Sequence, residues 1–294
     1  MSLPETLISV GSYFLFITAE LLILFICVSL LVGVLQTYIS REKMQQILGK
    51  TGNITGCILG AGFGALTPFC SCSTIPITLG FLKAGVAFSS AMSFLFASPL
   101  LNPVILAMML IIFGPGITAM YAVSMFVFAI LIGLVLDRTG YRSCLKPVAV
   151  EGEMDRSGTK FQQIVRFSLT IFRQMLPYLL LGAGIGACIY GFLPADWVLA
   201  AAGPDNLFAI PIAALIGIPL YIRAETILPI AAVLLEKGMS TGAVAALLIG
   251  GAGMSIPEIT MLSAIFEKKL VGVFVILILL AAVFTGCILQ ILSG

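Results

Sequence analysis

The sequence predicts an all-α polytopic membrane protein made of two inverted repeats, each with a span, a re-entrant hairpin, a broken helix and a final span. Hydrophobic residues make up 60% of the 294 residues and charged residues only 10%, whereas an ordinary soluble domain has about 25% charged residues. Apolar stretches of about 20 residues recur along the chain, and this is the length of a membrane-spanning helix. Lysine and arginine are gathered in a few polar segments, and similar Pro and Gly positions recur in both halves.

Composition also excludes several classes of function. A net charge of +2, with no basic run carrying aromatics, argues against a nucleic-acid partner. The chain has no histidine, the commonest metal ligand and general base. No glycine-rich phosphate loop ending in Lys-Ser or Lys-Thr is present. We therefore expect a transporter driven by an ion or proton gradient rather than an enzyme, and we expect no cofactor.

One long polar segment divides the chain and sets the expected orientation. We predict a first repeat over 1–136, a cytoplasmic linker over 137–172 and a second repeat over 173–294. The linker is rich in Lys and Arg, which favour the cytoplasmic side, whereas residues 194–206 contain acids and no Lys or Arg. The first spans of the two repeats, about 12–38 and 173–193, are therefore predicted to cross in opposite directions. The first is interpreted as a retained span rather than a cleaved signal.

Shorter apolar segments predict the interior of each repeat. Arms of 10 to 14 residues favour a re-entrant hairpin, although full crossings by the arms stay open. The predicted segments are hairpins at 54–82 and 205–236, broken crossings at 86–113 and 239–266, and final spans at 117–136 and 270–292. The repeats also share the spacing of Pro and Gly residues, because Gly85 lies nine positions after Pro76 and Gly238 lies nine positions after Pro229. Pro68 matches Pro219 when a gap of two residues is allowed. Chance recurrence of Pro and Gly is the alternative, but inverted repeats with interrupted helices are a known transporter architecture.

Interrupted helices at membrane depth are where we expect the binding site, because their backbone must be covered by protein or line a water-filled cavity. Two cysteines one residue apart in such a turn present two sulfurs to a soft centre; tight backbone contact is the alternative role for these small residues. Intramembrane charges are costly and usually functional, and Glu258 is predicted to carry a coupling proton. Arg223 and Glu225 alternatively form a structural ion pair. The candidate substrate-binding residues are Cys70, Ser71, Cys72, Ser73, Asn102, Arg223, Glu225 and Glu258, with Cys70 and Cys72 as metal ligands and no catalytic residue.

The motif TPFCSCSTIPITLGFLKAG at 67–85, followed by ASPLLNP at 97–103, resembles the ArsP-type permease family. The family consists of bacterial inner-membrane permeases, some of which export trivalent organoarsenicals. The resemblance implies a multi-pass protein of the bacterial inner (plasma) membrane that confers arsenical resistance by efflux. It also implies that Cys70 and Cys72 are the soft-ligand pair for a trivalent arsenical or a similar metalloid species.

One departure from this chemistry keeps other substrates open. The matching turn of the second repeat holds Arg223 and Glu225 and has no cysteine, so a third thiolate for inorganic arsenite is not evident. The alternatives are a transporter of a small oxyanion or sulfur compound, or a membrane carrier of thiols and reductant. The expected partners are a small-molecule or metalloid substrate and the lipid bilayer. A homodimer is left open as the assembly state.

Overall fold

The computed structural model of the chain describes residues 54–67, 71–146, 208–219 and 231–293, with isolated helical positions at 19, 23, 26, 27, 169, 173, 176, 177, 180 and 181. These residues are almost entirely helical, and their one extended pairing is an isolated bridge between Leu145 and Phe266. The α-helices with described bounds are α1 (Ile54–Leu66), α2 (Ser71–Lys83), α3 (Phe88–Leu100), α4 (Pro103–Arg138), α5 (Ala209–Gly217), α6 (Thr241–Gly253), α7 (Ile256–Ile265) and α8 (Lys268–Ser293). Residues 231–236 are also helical, and a 3-10 helix covers Tyr141–Cys144.

Helix α4 is divided at Gly114, whose backbone is non-helical with φ 78° and ψ 174°. Positive φ suits glycine, and Pro115 begins the next helical piece. The piece over 115–138 is about 36 Å long at about 1.5 Å per residue, enough to cross a hydrocarbon core of about 30 Å. The non-helical Gly114 separates the piece over 103–113 from this longer piece, and the crossing over 86–113 stays a prediction.

Both segments predicted to be broken crossings contain a helix break where the sequence predicts one. In the first half α3 ends at Leu100 and α4 begins at Pro103. In the second half α6 ends at Gly253 and α7 begins at Ile256, with a bend of 41° between the two helices. Among the described residues, two helices, α4 and α8, are long and apolar enough to cross a membrane, or three spans if the bent pair counts as one. The prediction of an all-α membrane protein is confirmed at this level.

Corresponding helices begin at a constant spacing in the two halves. The first residues of α3 and α6 are 153 positions apart (from 88 to 241). The same spacing separates the first residues of α4 and α7 (from 103 to 256). It also separates the second piece of α4 from α8 (from 115 to 268). Two residues separated by this number are called register partners below.

Local backbone geometry repeats at the same spacing. Gly85 and Gly238 are register partners, and both have positive φ, 81° and 91°. The amide of Val86 donates to the Phe81 carbonyl at 3.0 Å, and its register partner Met239 donates to Leu234 at 2.9 Å. Pro76 and Pro229 keep the register without a gap, but Pro68 and Pro219 are 151 positions apart (from 68 to 219) and do not.

Helix packing repeats as well. Helix α1 packs on α3 as α5 packs on α6, and the second piece of α4 packs on α3 as α8 packs on α6. A Cβ added to Gly64 would lie 3.0 Å from the Ser98 amide nitrogen, and one added to Gly217 would lie 2.8 Å from the Gly251 nitrogen. Both glycines and both contacted residues are register partners. Close approach of the two helices thus depends on glycine at the same place in each half.

The two helix breaks meet in the described structure. Leu100 and Gly253 are the last residues of α3 and α6, and they are register partners. A Cβ on Gly253 would lie 3.1 Å from Leu100 Cδ2. The carbonyl of Leu100 accepts a 2.9 Å hydrogen bond from the buried Tyr121 hydroxyl, so a carbonyl at the end of a helix is covered by protein.

Several parts of the predicted topology lie outside the described residues. These parts are most of the first spans at 12–38 and 173–193, most of the linker, and the turn of the second hairpin. The boundaries of the two repeats and their opposite orientation therefore stay predictions.

The packing of α1 on α3 generates a test. A Cβ on Gly60 would lie 2.3 Å from the Ser90 carbonyl oxygen, whereas one on Gly62 would meet nothing within 4 Å. We expect Gly60→Ala to destabilise the fold by about 1–3 kcal/mol, because backbone must move to admit the methyl group. Thermal unfolding of purified protein measures the loss, with Gly62→Ala on the same helix as the matched control. Equal melting temperatures for the two variants would contradict the packing.

Candidate functional site

The turn of the first hairpin carries the predicted thiol pair. Helix α1 ends at Leu66 and α2 begins at Ser71, so the turn lies between them. Cys70 lies outside the described residues, and only the helical backbone is described for Ser71 and Cys72. Ser73 is fully buried in the first turn of α2. The beginning of α2, the positive end of its dipole, thus immediately follows Cys70.

Three buried hydroxyl groups gather beside this turn. Thr67 precedes the turn, Thr74 lies one helical turn into α2, and Ser98 lies near the end of α3. The Ser98 Oγ is 3.3 Å from Thr67 Oγ1 and 3.3 Å from Thr74 Oγ1. The sequence prediction missed all three as site residues, although Ser98 belongs to the SPLLNP segment and both threonines flank the cysteines.

Asn102 lies at the break of the first half and caps a helix. Its side-chain oxygen accepts a 2.9 Å hydrogen bond from the amide of Val104, and Pro103 occupies the first position of α4. Asn102 is partly exposed. For the predicted amide contact with a substrate, the side chain offers its nitrogen as a donor and the second lone pair of its oxygen as an acceptor.

Glu258 lies in the first turn of α7, directly after Pro257, and is fully buried. A carboxylate at a helix N-terminus is favoured by the helix dipole, but burial of a charge in an apolar region is costly. Helix α7 packs against α2. The structure therefore brings the helix that bears Glu258, from the second half, against the helix that begins at Ser71, from the first half.

The remaining predicted site residues are not described. Arg223 and Glu225 lie outside the described residues, so their predicted position opposite the thiols stays untested. Within the described ranges no three Cys, Asp or Glu side chains form a group that would hold a metal ion. That statement does not cover the predicted ligand pair, because neither Cys70 nor the side chain of Cys72 is described.

The other end of α7 is anchored by the beginning of the predicted linker. Leu145 forms an antiparallel bridge with Phe266, and the amide of Lys146 donates to the Ile265 carbonyl at 2.9 Å. The Lys146 ammonium donates to the Ser263 carbonyl at 2.6 Å. Carbonyls at the end of a helix carry its negative dipole end and attract a cation. The sequence prediction of a linker did not foresee this contact, which fixes the helix that carries Glu258.

Apolar helices long enough to cross a membrane define an α-helical membrane protein, and interrupted helices such as these are typical of transporters. The ArsP_1 family model, described as a predicted permease, matches residues 7–291. The chain therefore belongs to this permease family, as the sequence motifs predict.

Relatives of similar length support this membership. The chain is 26% identical to the UPF0718 protein YcgR of Bacillus subtilis (strain 168) over 290 residues, which cover 96% of this chain and 98% of the relative. It is 28% identical to the UPF0718 protein YraQ of Escherichia coli (strain K12) over 248 residues, covering 81% and 68%. The UPF0718 protein MJ0584 of Methanocaldococcus jannaschii is 23% identical over 329 residues, covering 89% and 90%. No solved structure gives a significant match.

The anchor on α7 can be tested through the native thiol of Cys144, which is 8% exposed. We expect Lys146→Met to raise the rate of maleimide labelling at Cys144 roughly tenfold, because a hydrogen bond from a charged donor contributes about 1.5–3 kcal/mol. Mass spectrometry of the labelled peptide measures the rate. Arg142→Met, at an exposed neighbouring position, is the control. An unchanged rate in the Lys146 variant would show that the ammonium does not hold this contact closed.

Proposed function

We propose that the chain is a secondary permease that exports a trivalent arsenical or a similar soft metalloid species, with Cys70 and Cys72 as its ligands. The observation that carries the proposal is the packing of α2 against α7. It brings the helix that begins beside the thiols next to the helix of the fully buried Glu258. A soft-ligand pair and an ionisable group in one region supply both substrate binding and coupling.

The chemistry of the substrate fits two thiols. An organoarsenical with one carbon substituent and two hydroxyl groups on As(III) exchanges each hydroxyl for a cysteine sulfur. Each exchange forms one As–S bond, breaks one As–OH bond and releases one water that carries the thiol proton. No electron is transferred. Two ligands leave the site open to water, so the reverse exchange releases the substrate, as a transporter requires.

Glu258 is proposed to carry the coupling proton. A buried carboxyl group can be neutral when the site faces one side and ionised when it faces the other, and such acids mark proton pathways in transporters. The position at a helix break agrees with transporters whose ion and substrate sites lie between discontinuous helices.

Two inverted repeats are proposed as the frame for alternating access. Support comes from the spacing of 153 residues, which relates helix starts, positive-φ glycines and close packing contacts in the two halves. The same spacing relates position 70 to Arg223 and position 72 to Glu225. The first repeat would then present two thiols where the second presents a charged pair. The proposed location is a bacterial inner membrane, crossed several times.

The first test replaces the thiols. We expect Cys70→Ser and Cys72→Ser each to lower export of methylarsonous acid at least about tenfold, because one sulfur cannot chelate the arsenic. Uptake into everted vesicles measures export, with rates normalised to the amount of protein. Cys287→Ser, at an exposed position far along α8, is the control.

Full export by both thiol variants would show that the pair is structural. Uptake of antimonite, selenite and thiosulfate by the same vesicles, each supplied outside in a separate trial, decides between a soft metalloid and a small oxyanion or sulfur compound. Loss of free thiol signal on one side of the vesicle without any solute movement would instead support a carrier of reducing equivalents.

The second test replaces the buried acid. We expect Glu258→Gln to lower proton-driven export at least about tenfold while binding of the arsenical is kept, because the amide cannot exchange a proton. Export with and without a proton gradient is measured beside binding to purified protein. Glu267→Gln, an exposed acid beyond the other end of α7, is the matched control. Gradient-dependent export at the unmodified rate in the Glu258 variant would rule out the coupling role.

A further inference from the structure

The three hydroxyl groups beside the thiol turn form a directed chain of hydrogen bonds. A hydroxyl has one proton to donate. The Thr67 hydroxyl donates its proton to the Gly64 carbonyl at 2.9 Å. Its contact with Ser98 must then use the Ser98 proton, and Thr74 donates to Ser98. The chain therefore runs from Thr74 through Ser98 and Thr67 to a backbone carbonyl near the end of α1.

The threonines of this chain flank, in sequence, the segment that carries the thiols. Thr67 and Thr74 lie on either side of residues 68–73, which include both cysteines, and the single oxygen of Ser98 contacts both threonines. The two ends of the turn are thereby held against α3, next to the helix break that follows Leu100. Tying both ends of a short segment to one point removes conformations that it would otherwise sample.

The residues of the hydroxyl chain have no hydroxyl counterparts in the second half. The register partners of Thr67, Thr74 and Ser98 are Leu220, Ile227 and Gly251, none of which has a hydroxyl group. Burial of serine on α3 does not by itself produce such bonds. Ser89 and Ser93 on the same helix are fully buried, yet their hydroxyls have no hydrogen-bond partner in the part of the chain that the structure describes.

We propose that Ser98 is a positioning residue for the Cys70–Cys72 pair, an inference that rests on the proposed function. Two sulfurs bind one arsenic atom only when they are held at a suitable separation, and fixing that separation beforehand reduces the entropy lost on binding. Both bonds to Ser98 are long for hydroxyl pairs. The expected effect of losing them is therefore moderate, roughly tenfold in affinity, corresponding to about one hydrogen bond's net contribution.

The experiment compares Ser98→Ala, Ser98→Thr and Ser93→Ala in purified full-length protein. The first measurement is capture of phenylarsine oxide, which forms two As–S bonds with a thiol pair and releases one water. The second is the alkylation rate of Cys70 and of Cys72 by iodoacetamide, followed by peptide mass spectrometry. Thermal unfolding is recorded for every variant.

We expect Ser98→Ala to weaken capture roughly tenfold and to raise alkylation of both cysteines, because the turn is released. Ser98→Thr should restore both values, since it keeps a hydroxyl group, and Ser93→Ala should match the unmodified protein. Unchanged capture and alkylation in Ser98→Ala would overturn the proposal. A loss of affinity that follows a lowered melting temperature and is not rescued by Ser98→Thr would also overturn it.

A different result would contradict the proposed function without contradicting the role of Ser98. If the unmodified protein does not capture phenylarsine oxide through Cys70 and Cys72, the arsenical site is wrong. The alkylation rates still decide whether Ser98 holds the turn, because that reaction needs neither arsenic nor transport.

Discussion

Backbone groups at the ends of interrupted helices are the constraint on which this structure depends. Lipid supplies no hydrogen bonds, so a helix that stops at membrane depth must stop against protein or water. Leu100 and Gly253 end their helices side by side, the Tyr121 hydroxyl covers the Leu100 carbonyl, and Asn102 caps the helix that follows. The contact between α3 and α6, with α4 packed on α3 and α8 packed on α6, agrees with the need to cover such breaks.

The two halves share a backbone frame but differ in the polar groups placed on it. Tyr121 has Phe274 as its register partner, and Ser98 has Gly251. The register partners of the residues that form the hydroxyl chain therefore cannot form the same chain in the second half. Glu258 has Ile105 as its partner, so the buried acid belongs to the second half only. In the proposed function, substrate binding and coupling are therefore divided between halves that meet where α2 packs on α7.

The positions of the breaks could be predicted from sequence because Pro, Gly and Asn have strong local effects. Pro103 follows a capping Asn102, and Gly114 adopts a positive φ that separates a half-crossing from a full span. Contacts between distant segments could not be predicted in the same way. Thr67 and Ser98 are 31 positions apart, and Lys146 contacts Ser263 across 117. Hydrophobic pattern carries no information on which polar side chains meet at such separations.

Residues at the turns show where sequence pattern was less reliable. The match of Pro68 with Pro219 needed a gap, whereas the helices on both sides repeat without one. A proline can occupy several positions in a turn. It therefore indicates that a helix is broken, but it does not fix which residues of the two halves correspond. The helices keep the constant spacing because close packing at Gly64 and Gly217 prevents them from sliding along their neighbours.

Opposite orientation of the two halves is tested most directly by the sidedness of two positions that flank the second repeat's first span. Val150→Cys and Ala200→Cys, each in a background without other accessible thiols, are treated with a membrane-impermeant maleimide. The inverted arrangement predicts that Ala200→Cys labels in intact cells and that Val150→Cys labels only after the membrane is opened. Labelling of both positions from the same side would contradict two inverted halves and, with them, alternating access around the central breaks.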